Sequence, residues 1–428
     1  MKKTHILSDI SVKQAILIIS YTIYALLYAE CIDTKGNFFL LFMSVISIHT
    51  LLYEMPPLHF IRSIIKIFLV FFGLSILTAI SNLWSHGNSN WVFASANKFL
   101  FCSLIVSSFA NNISTKKLVL QITIICCCIC LSIFMIAQNS GLDLKNLLTK
   151  FSLQVVNGDW NEKYHSFWLV FLAWTSFFSA SSCFSKRKAR LINLLILFYT
   201  TFALFTSYSD SAKLAWIISL CIFLFSKFNV KLIWNSIILF TVFYIITFPL
   251  IWQLLPAPVW EWTYSIHERT FIRFLLLETA SNAILDNWFL GHGFGSSLSL
   301  SITPYLPELS NYNINLERLM WVKHGNLFPG GHPHNIIALI WLDWGFIGAL
   351  LVSLLVYKSF LWLTPIVEIQ QKGLFINSLL ISALVIFSLS FSTWQTDVVM
   401  TYAMLIVALM VVIKSPDETV CSEKDCQN

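Results

Sequence analysis

Charged residues are scarce in this chain, and their scarcity excludes a soluble globular protein. Only 11% of the 428 residues are Asp, Glu, Lys or Arg, whereas soluble domains carry roughly 25%. Hydrophobic residues make up 57% of the chain, including 37 Phe and 16 Trp. Apolar segments of about 17–25 residues, each long enough to cross the hydrocarbon layer as a helix, recur from end to end. The sequence therefore predicts an all-α, polytopic integral membrane protein.

Other absences narrow the interpretation further. The first apolar segment lacks a small-residue cleavage site, so we interpret it as a retained anchor and not as a removed signal peptide. None of the ten cysteines lies in the long polar stretch 253–334, so disulfide bonds are not expected to hold that stretch together. The net charge of +6 arises from the basic loops described next. We therefore do not interpret it as a sign of nucleic-acid binding.

Twelve crossings are predicted, and the basic residues orient them. If the N-terminus is inside, most of the 27 Lys and Arg fall on the inside, whereas the short outside turns near 85–90, 207–211 and 395–397 contain none. This asymmetry is the positive-inside rule, and it agrees with both termini inside. The crossings are centred near residues 22, 45, 72, 101, 127, 174, 198, 219, 242, 346, 384 and 405.

A long polar insertion divides the chain. Long loops in compact proteins are usually functional, and this one is predicted to contain a helix over about 267–286 that a glycine turn stops. The predicted parts are 1–252 with crossings one to nine and a small outside loop at about 138–164, the large outside loop 253–334, crossings ten to twelve in 335–413, and an inside tail 414–428.

The segment GHPHN at 331–335 is the first candidate site. His332, His334 and Asn335 close the polar insertion, and an apolar run begins at the next residue. Imidazole is the side chain best suited to move a proton near neutral pH. The alternative is a polar cap, because asparagine is a good N-cap residue. Two histidines without a neighbouring Asp or Glu make at most half a metal site, so no metal and no cofactor is predicted.

Two arginines in the predicted loop helix are the second candidate. Arg269 and Arg273 are one turn apart on the same helical face. Arginine binds phosphate through two parallel hydrogen bonds and keeps its charge. The pair is suited to hold a lipid pyrophosphate; the alternative is pairing with Glu268 or Glu278, or contact with lipid headgroups.

Charged residues near the ends of two crossings complete the candidates. Asp210 and Lys213 lie at the outer end of the eighth crossing, where ionisable residues are costly and tend to be functional. The alternative is an i,i+3 salt pair that compensates itself. Asp343 lies about two turns into the tenth crossing and is expected to face the bundle interior, either orienting the histidine segment or holding helices together.

The order of these features resembles that of the O-antigen ligase and polymerase superfamily. From Arg273 the chain continues with GHGFG at 291–295, a polar stretch, HPHN at 332–335, and Asp343 followed by the glycines of WGFIG. The resemblance is strongest over about 268–350, and the twelve-crossing layout with one large loop extends it to the whole chain. Length and layout favour the ligase branch.

The resemblance implies a metal-independent, inverting glycosyltransferase of the membrane-embedded GT-C type in the bacterial inner membrane. Such ligases transfer a glycan from undecaprenyl pyrophosphate to lipid A–core at the periplasmic face. Carried onto this sequence, His334 becomes the general base, Arg273 holds the leaving pyrophosphate, and His332 and Asn335 support the site. The expected partners are the lipid-linked donor, the lipid A–core acceptor and membrane lipids, with no nucleic acid; the sequence does not indicate an oligomeric state.

The chain also departs from this family, which usually has an arginine where Asp210 stands. Lys213, one turn on, is the residue that can supply the missing positive charge. Two alternative functions stay open. One is a polymerase that joins lipid-linked repeat units, and the other is a non-enzymatic polysaccharide transporter. A transporter is expected to have its polar residues at the midplane of discontinuous helices, whereas here they gather at the outer mouth.

Overall fold

The structure is a computed structural model that describes residues 117–139, 159–254, 268–293, 296–298, 300, 333–390 and 396–413. The first four predicted crossings, most of the small outside loop, much of the large one and the tail lie outside the described residues. In the described part, every regular element is helical. The helices are α1 (Lys117–Asn139), α2 (Asp159–Cys183), α3 (Lys186–Thr206), α4 (Asp210–Ser226), α5 (Val230–Gln253), α6 (Glu268–Asp286), a 3-10 turn (Ser296–Leu298), α7 (Ile336–Val367), α8 (Gln370–Ser390) and α9 (Thr396–Ile413).

The helices occupy the positions that the apolar segments predict. Eight of those described coincide with the fifth to twelfth predicted crossings, and α6 coincides with the helix predicted in the large loop. Five are long and apolar enough to cross a membrane: residues His165–Cys183 of α2, and the whole of α3, α5, α7 and α8. The chain is therefore a helical membrane protein, and the total of twelve crossings stays a prediction.

Helices α2 and α8 form the centre of the bundle. Helix α8 packs against α2, α4, α5, α7 and α9, and α2 packs against α1, α3 and α9 as well. Trp174 of α2 is fully buried, and its indole Nε1 donates to Ser219 Oγ of α4 at 2.9 Å. Large apolar side chains are instead exposed on α3, α4, α5 and α7, which is the surface expected to face lipid.

Polar contacts show which helix ends lie together. Lys231 Nζ at the beginning of α5 lies 2.8 Å from Glu368 Oε1 at the end of α7. Asn377 near the beginning of α8 donates to Ser226 Oγ at the end of α4. We call the end of the bundle where these contacts lie the basic end, because α3 begins there with the exposed residues Lys186, Arg187, Lys188 and Arg190. We call the opposite end the site end.

Helix α7 is broken near the site end. Gly345 has φ 60° and ψ −153°, a conformation open almost only to glycine, and it separates a short segment, 336–344, from the rest of the helix. All residues of the short segment are buried, whereas an exposed apolar face begins at Ile347. Residues 346–367 alone form a helix of about 33 Å, which is enough to cross a membrane. The short segment is therefore not needed for the crossing.

Candidate functional site

Asn335 opens the short segment and fixes it in the bundle. Its side chain Oδ1 accepts from the backbone N–H groups of Ile337 at 2.8 Å and Ala338 at 2.9 Å, as an N-cap does. Its Nδ2 donates to the carbonyl of Ser388 on α8 at 2.7 Å and to the hydroxyl of Tyr244 on α5 at 3.3 Å. Asn335 is fully buried. The amide therefore positions the segment, as the cap alternative predicted.

His334 precedes this cap in an unusual backbone conformation. Its φ is 55°, and it is the one non-glycine residue in the described part of the chain with a positive φ. The left-handed region is uncommon for residues other than glycine, although asparagine, aspartate and histidine adopt it more often than the rest. The imidazole is half-buried beside the anchored Asn335. The anchored Asn335 therefore holds the imidazole of His334 at the site end. His332 lies outside the described residues.

Asp343 belongs to the short segment, before the break at Gly345. Asn335 is hydrogen-bonded to Ser388, which lies about 27 Å along α8 from the first residue of that helix. Phe346 lies about 32 Å along α7 from the last residue of that helix. Both of these helix termini are at the basic end. The short segment, about 14 Å long, therefore runs mainly across the site end. Asp343 is 1% exposed there. It is buried, as predicted, and it lies about two turns into α7, just before the break at Gly345.

The turn after α6 completes the break in α7. The backbone N–H of His292 donates to the carbonyl of Leu342 at 2.6 Å, and the N–H of Phe346 donates to the carbonyl of Trp288 at 2.7 Å. These bonds occupy the Leu342 carbonyl and the Phe346 N–H, which would bond each other in a continuous helix. We call this junction the interlock, formed by residues 287–293 and 342–347.

Two glycines make the interlock possible. Gly291 and Gly345 both have positive φ, of 71° and 60°. A Cβ added to Gly291 would lie 2.6 Å from the backbone nitrogen of Gly345, and one added to Gly345 would lie 2.5 Å from the carbonyl oxygen of Phe289. Backbone atoms stand in both places, so neither glycine can gain a side chain unless the junction opens.

Helix α6 is also tied to the end of α5. Ser281 Oγ donates to the carbonyl of Pro249 at 2.5 Å, and Gln253 Nε2 donates to Asn282 Oδ1 at 2.6 Å. Proline has no N–H, so Pro249 leaves the carbonyl of Ile245 without its helical donor. Trp341 of the short segment donates its indole N–H to that carbonyl at 2.7 Å. Helices α5, α6 and α7 are thus joined by polar contacts at the site end.

The two arginines lie on α6, within the region that the interlock attaches to α7. Arg273 is half-buried, and Arg269 lies one turn earlier, with a side chain outside the described residues. Glu278, which the sequence offered as a partner of Arg273, lies five residues on, about 140° around the helix from it. Burial raises the pKa of the Glu278 carboxyl to about 7. Glu278 is therefore a group that titrates near neutral pH, which the sequence did not reveal.

Asp210 and Lys213 form the i,i+3 pair that the sequence offered as the alternative to a functional role. Lys213 Nζ lies 3.4 Å from Asp210 Oδ1 at the beginning of α4. Side-chain exposure is 25% for Lys213 and 44% for Asp210, so the pair is accessible from the site end. Exposed pairs of this kind contribute little to stability, about 0.3–0.5 kcal/mol, so Lys213 can leave Asp210 for a stronger anion.

The structure brings part of the predicted site together. His334, Asn335 and Asp343 lie on or beside one short segment, and α6 with Arg273 packs against α5 and α7. Among the described residues, no group of three or more His, Cys, Asp or Glu could hold a metal ion. The interlock glycines and Trp341 were not predicted as site elements, although GHGFG and WGFIG were the signal that could have identified the glycines.

No family model and no curated protein matches the chain.

Proposed function

We propose that the chain is an O-antigen ligase of the GT-C type. It crosses the bacterial inner membrane twelve times, keeps both termini in the cytoplasm and has its site end in the periplasm. In this proposal it transfers a glycan from undecaprenyl pyrophosphate to lipid A–core. The support is the ordered set of residues from Arg273 to Gly348 together with the geometry of the site end.

One observation carries the proposal, and it is the interlock. The backbone bonds between 287–293 and 342–347 attach the helix of Arg273 to the short segment, which His334 and Asn335 precede. A phosphate-binding cation and a proton-accepting imidazole are thus carried by two elements that are fixed to each other. Fixed relative positions are what a transfer reaction requires of its donor and acceptor groups.

The chemistry assigned to these residues is modest. Pyrophosphate is a good leaving group, so catalysis needs positioning, charge stabilisation and one base. His334 accepts the proton of the acceptor hydroxyl as its oxygen attacks the anomeric carbon. The bond from that carbon to the pyrophosphate oxygen breaks, and Arg273, with Lys213, stabilises the released anion. Attack opposite the leaving group inverts the anomeric centre.

Transfer with defined components tests the proposal. Purified protein is given an undecaprenyl pyrophosphate carrying a short glycan and rough lipopolysaccharide, with EDTA present. We expect glycan attached to lipopolysaccharide through an inverted linkage. Products lengthened on undecaprenyl without acceptor use would instead show a polymerase. Absence of both products from a folded protein, with glycan movement across vesicles, would contradict enzyme function and indicate a transporter.

Loss of activity in EDTA with recovery on adding Mg²⁺ or Mn²⁺ would contradict the metal-independent part of the proposal alone.

A further inference from the structure

Three consecutive apolar residues in the turn after α6 are exposed. Trp288 is 52% exposed, Phe289 50% and Leu290 44%. They lie a few residues after the well-packed part of α6, where Ala280, Ala283 and Ile284 are fully buried. An exposed cluster of this kind on an otherwise packed element marks a surface that contacts an apolar partner.

The interlock fixes the height of this cluster. The carbonyls of Trp288 and Phe289 accept from the N–H groups of Phe346 and Ile347, the first residues of the crossing part of α7. Phe346 lies about 32 Å of helix from the basic end of that crossing, and a bilayer's hydrocarbon core is about 30 Å thick. The cluster therefore stands at the boundary between hydrocarbon and headgroups.

The cluster is also continuous with the surface expected to face lipid. Ile347 and Leu350 are exposed just below it on α7, and Leu250 and Leu254 are exposed at the end of α5, which α6 contacts. The ring of Trp288 packs at 6.1 Å from the ring of Phe346. Tryptophan, like tyrosine, is enriched at membrane interfaces.

We propose that residues 288–290 insert into the outer leaflet of the bilayer and anchor the α6 turn at the acyl-chain boundary. The partner is membrane phospholipid. Because the interlock joins this turn to α7, the lipid contact and the backbone bonds hold α6 at one depth. This inference does not depend on glycosyl transfer, since it concerns where the turn lies in the membrane.

Photo-crosslinking in lipid nanodiscs tests the proposal. The full chain carries p-benzoylphenylalanine in place of Phe289, and its matched control carries the same residue in place of Asn287, which is exposed in the same turn. We expect phospholipid adducts, detected by mass spectrometry of the peptide, to be several-fold more abundant at position 289. Equal yields at both positions, or crosslinks from 289 to another part of the chain or to a second copy, would overturn the inference.

A second site keeps the result interpretable if the first replacement disturbs folding. The same residue at Leu290 should give the same lipid adducts, because Leu290 belongs to the cluster but its carbonyl accepts none of the interlock bonds. Adducts that appear at neither 289 nor 290 in protein that elutes as the wild type would also overturn the inference.

Discussion

At the scale of single residues, the conformation of His334 determines how its role can be tested. A positive φ is accessible to glycine and asparagine, whereas alanine in that region is strained by about 1–3 kcal/mol. An alanine variant could therefore lose activity through its backbone alone. Asparagine and glycine at this position remove the imidazole and keep the backbone.

We predict that His334→Asn and His334→Gly reduce glycan transfer by about 10²-fold or more, the usual contribution of a general base. Membrane insertion and thermal stability should stay near those of the wild type. The measurement is initial rate in the defined transfer assay, with Tm of the purified variants as the control. Near-normal transfer by either variant would remove the general-base role from His334.

Arg273 is predicted to act on the donor. A hydrogen bond to a charged group is worth about 1.5–3 kcal/mol, so Arg273→Ala should raise the donor KM or lower donor kcat/KM roughly 10- to 100-fold. Arg273→Lys should recover part of this loss, since it keeps the charge but not the paired hydrogen bonds. Arg190→Ala, at the basic end, is the matched control. A defect seen only with varied acceptor would make the pyrophosphate assignment wrong.

Glu278 should make stability depend on pH. Burial raises its pKa from the ordinary 4.5 to about 7. The folded protein therefore binds this proton more tightly than the unfolded chain, and the stability contributed by the protonated form is lost as pH rises from about 4.5 through 7. We expect the Tm difference between wild type and Glu278→Gln to widen over that window. A difference independent of pH from 4.5 to 8 would contradict the raised pKa.

At the scale of elements, the interlock is a joint made by two glycines. Gly345→Ala forces a side chain against the backbone of the α6 turn and removes a conformation that glycine alone adopts. With the associated backbone bonds weakened, we expect the free energy of unfolding to fall by about 3 kcal/mol. Leu350→Ala, on the lipid-facing part of α7, should have a much smaller effect.

The two glycines should also behave as one unit. Gly291→Ala is expected to cost about as much as Gly345→Ala, and the double variant should cost clearly less than their sum, because either change alone opens the same junction. Tm in detergent for the four proteins measures this. Additive losses would mean that the glycines act separately.

The positions of the helices were predictable from the sequence, whereas the break in α7 at Gly345 was not. Runs of apolar residues identified α5 and α8, and the polar turn residues bounded α6 to within a residue at its beginning. The apolar run from Ile336 contains one charged residue, Asp343, and continues past Gly345, so composition alone does not indicate a break. Residues 287–293, distant along the chain, supply hydrogen bonds that stabilise the break, and local sequence does not show such contacts.

The candidate site, like the helices, was predictable from the sequence only in part. Asn335 as a cap and Asp210 with Lys213 as a pair follow from spacing alone, and both were foreseen as alternatives. Asp343 is buried about two turns into α7, as its position in the sequence predicted, but the break two residues later was not foreseen. The raised pKa of Glu278 comes from burial, which spacing along one helix cannot reveal.

At the scale of the whole molecule, basic residues and helix contacts give the same division into two ends. Lys231 and Glu368 meet at the end where α3 begins with four exposed cations. The loop between α3 and α4, residues 207–209, lies at the other end and carries no Lys or Arg. The positive-inside rule therefore predicts that the basic end faces the cytoplasm.

Reporter fusions test this orientation. Alkaline phosphatase fused after Tyr208 should be active, and the same reporter fused after Phe228 should be inactive, because these exposed residues lie in successive turns at opposite ends. Green fluorescent protein at the two points is the complementary control, with the reverse result expected. Matching signals from both fusion points would contradict the alternation of α3, α4 and α5.

The indole N–H of Trp341 replaces the backbone donor that Pro249 lacks, and this replacement has a consequence for how the chain can vary among species. Any other residue at position 249 would bring back an N–H for the Ile245 carbonyl, and the indole would then compete with it for the same oxygen. Proline at one position and tryptophan at the other, 92 residues apart along the chain, should therefore be inherited as a pair. Orthologues that lose one are expected to have lost the other.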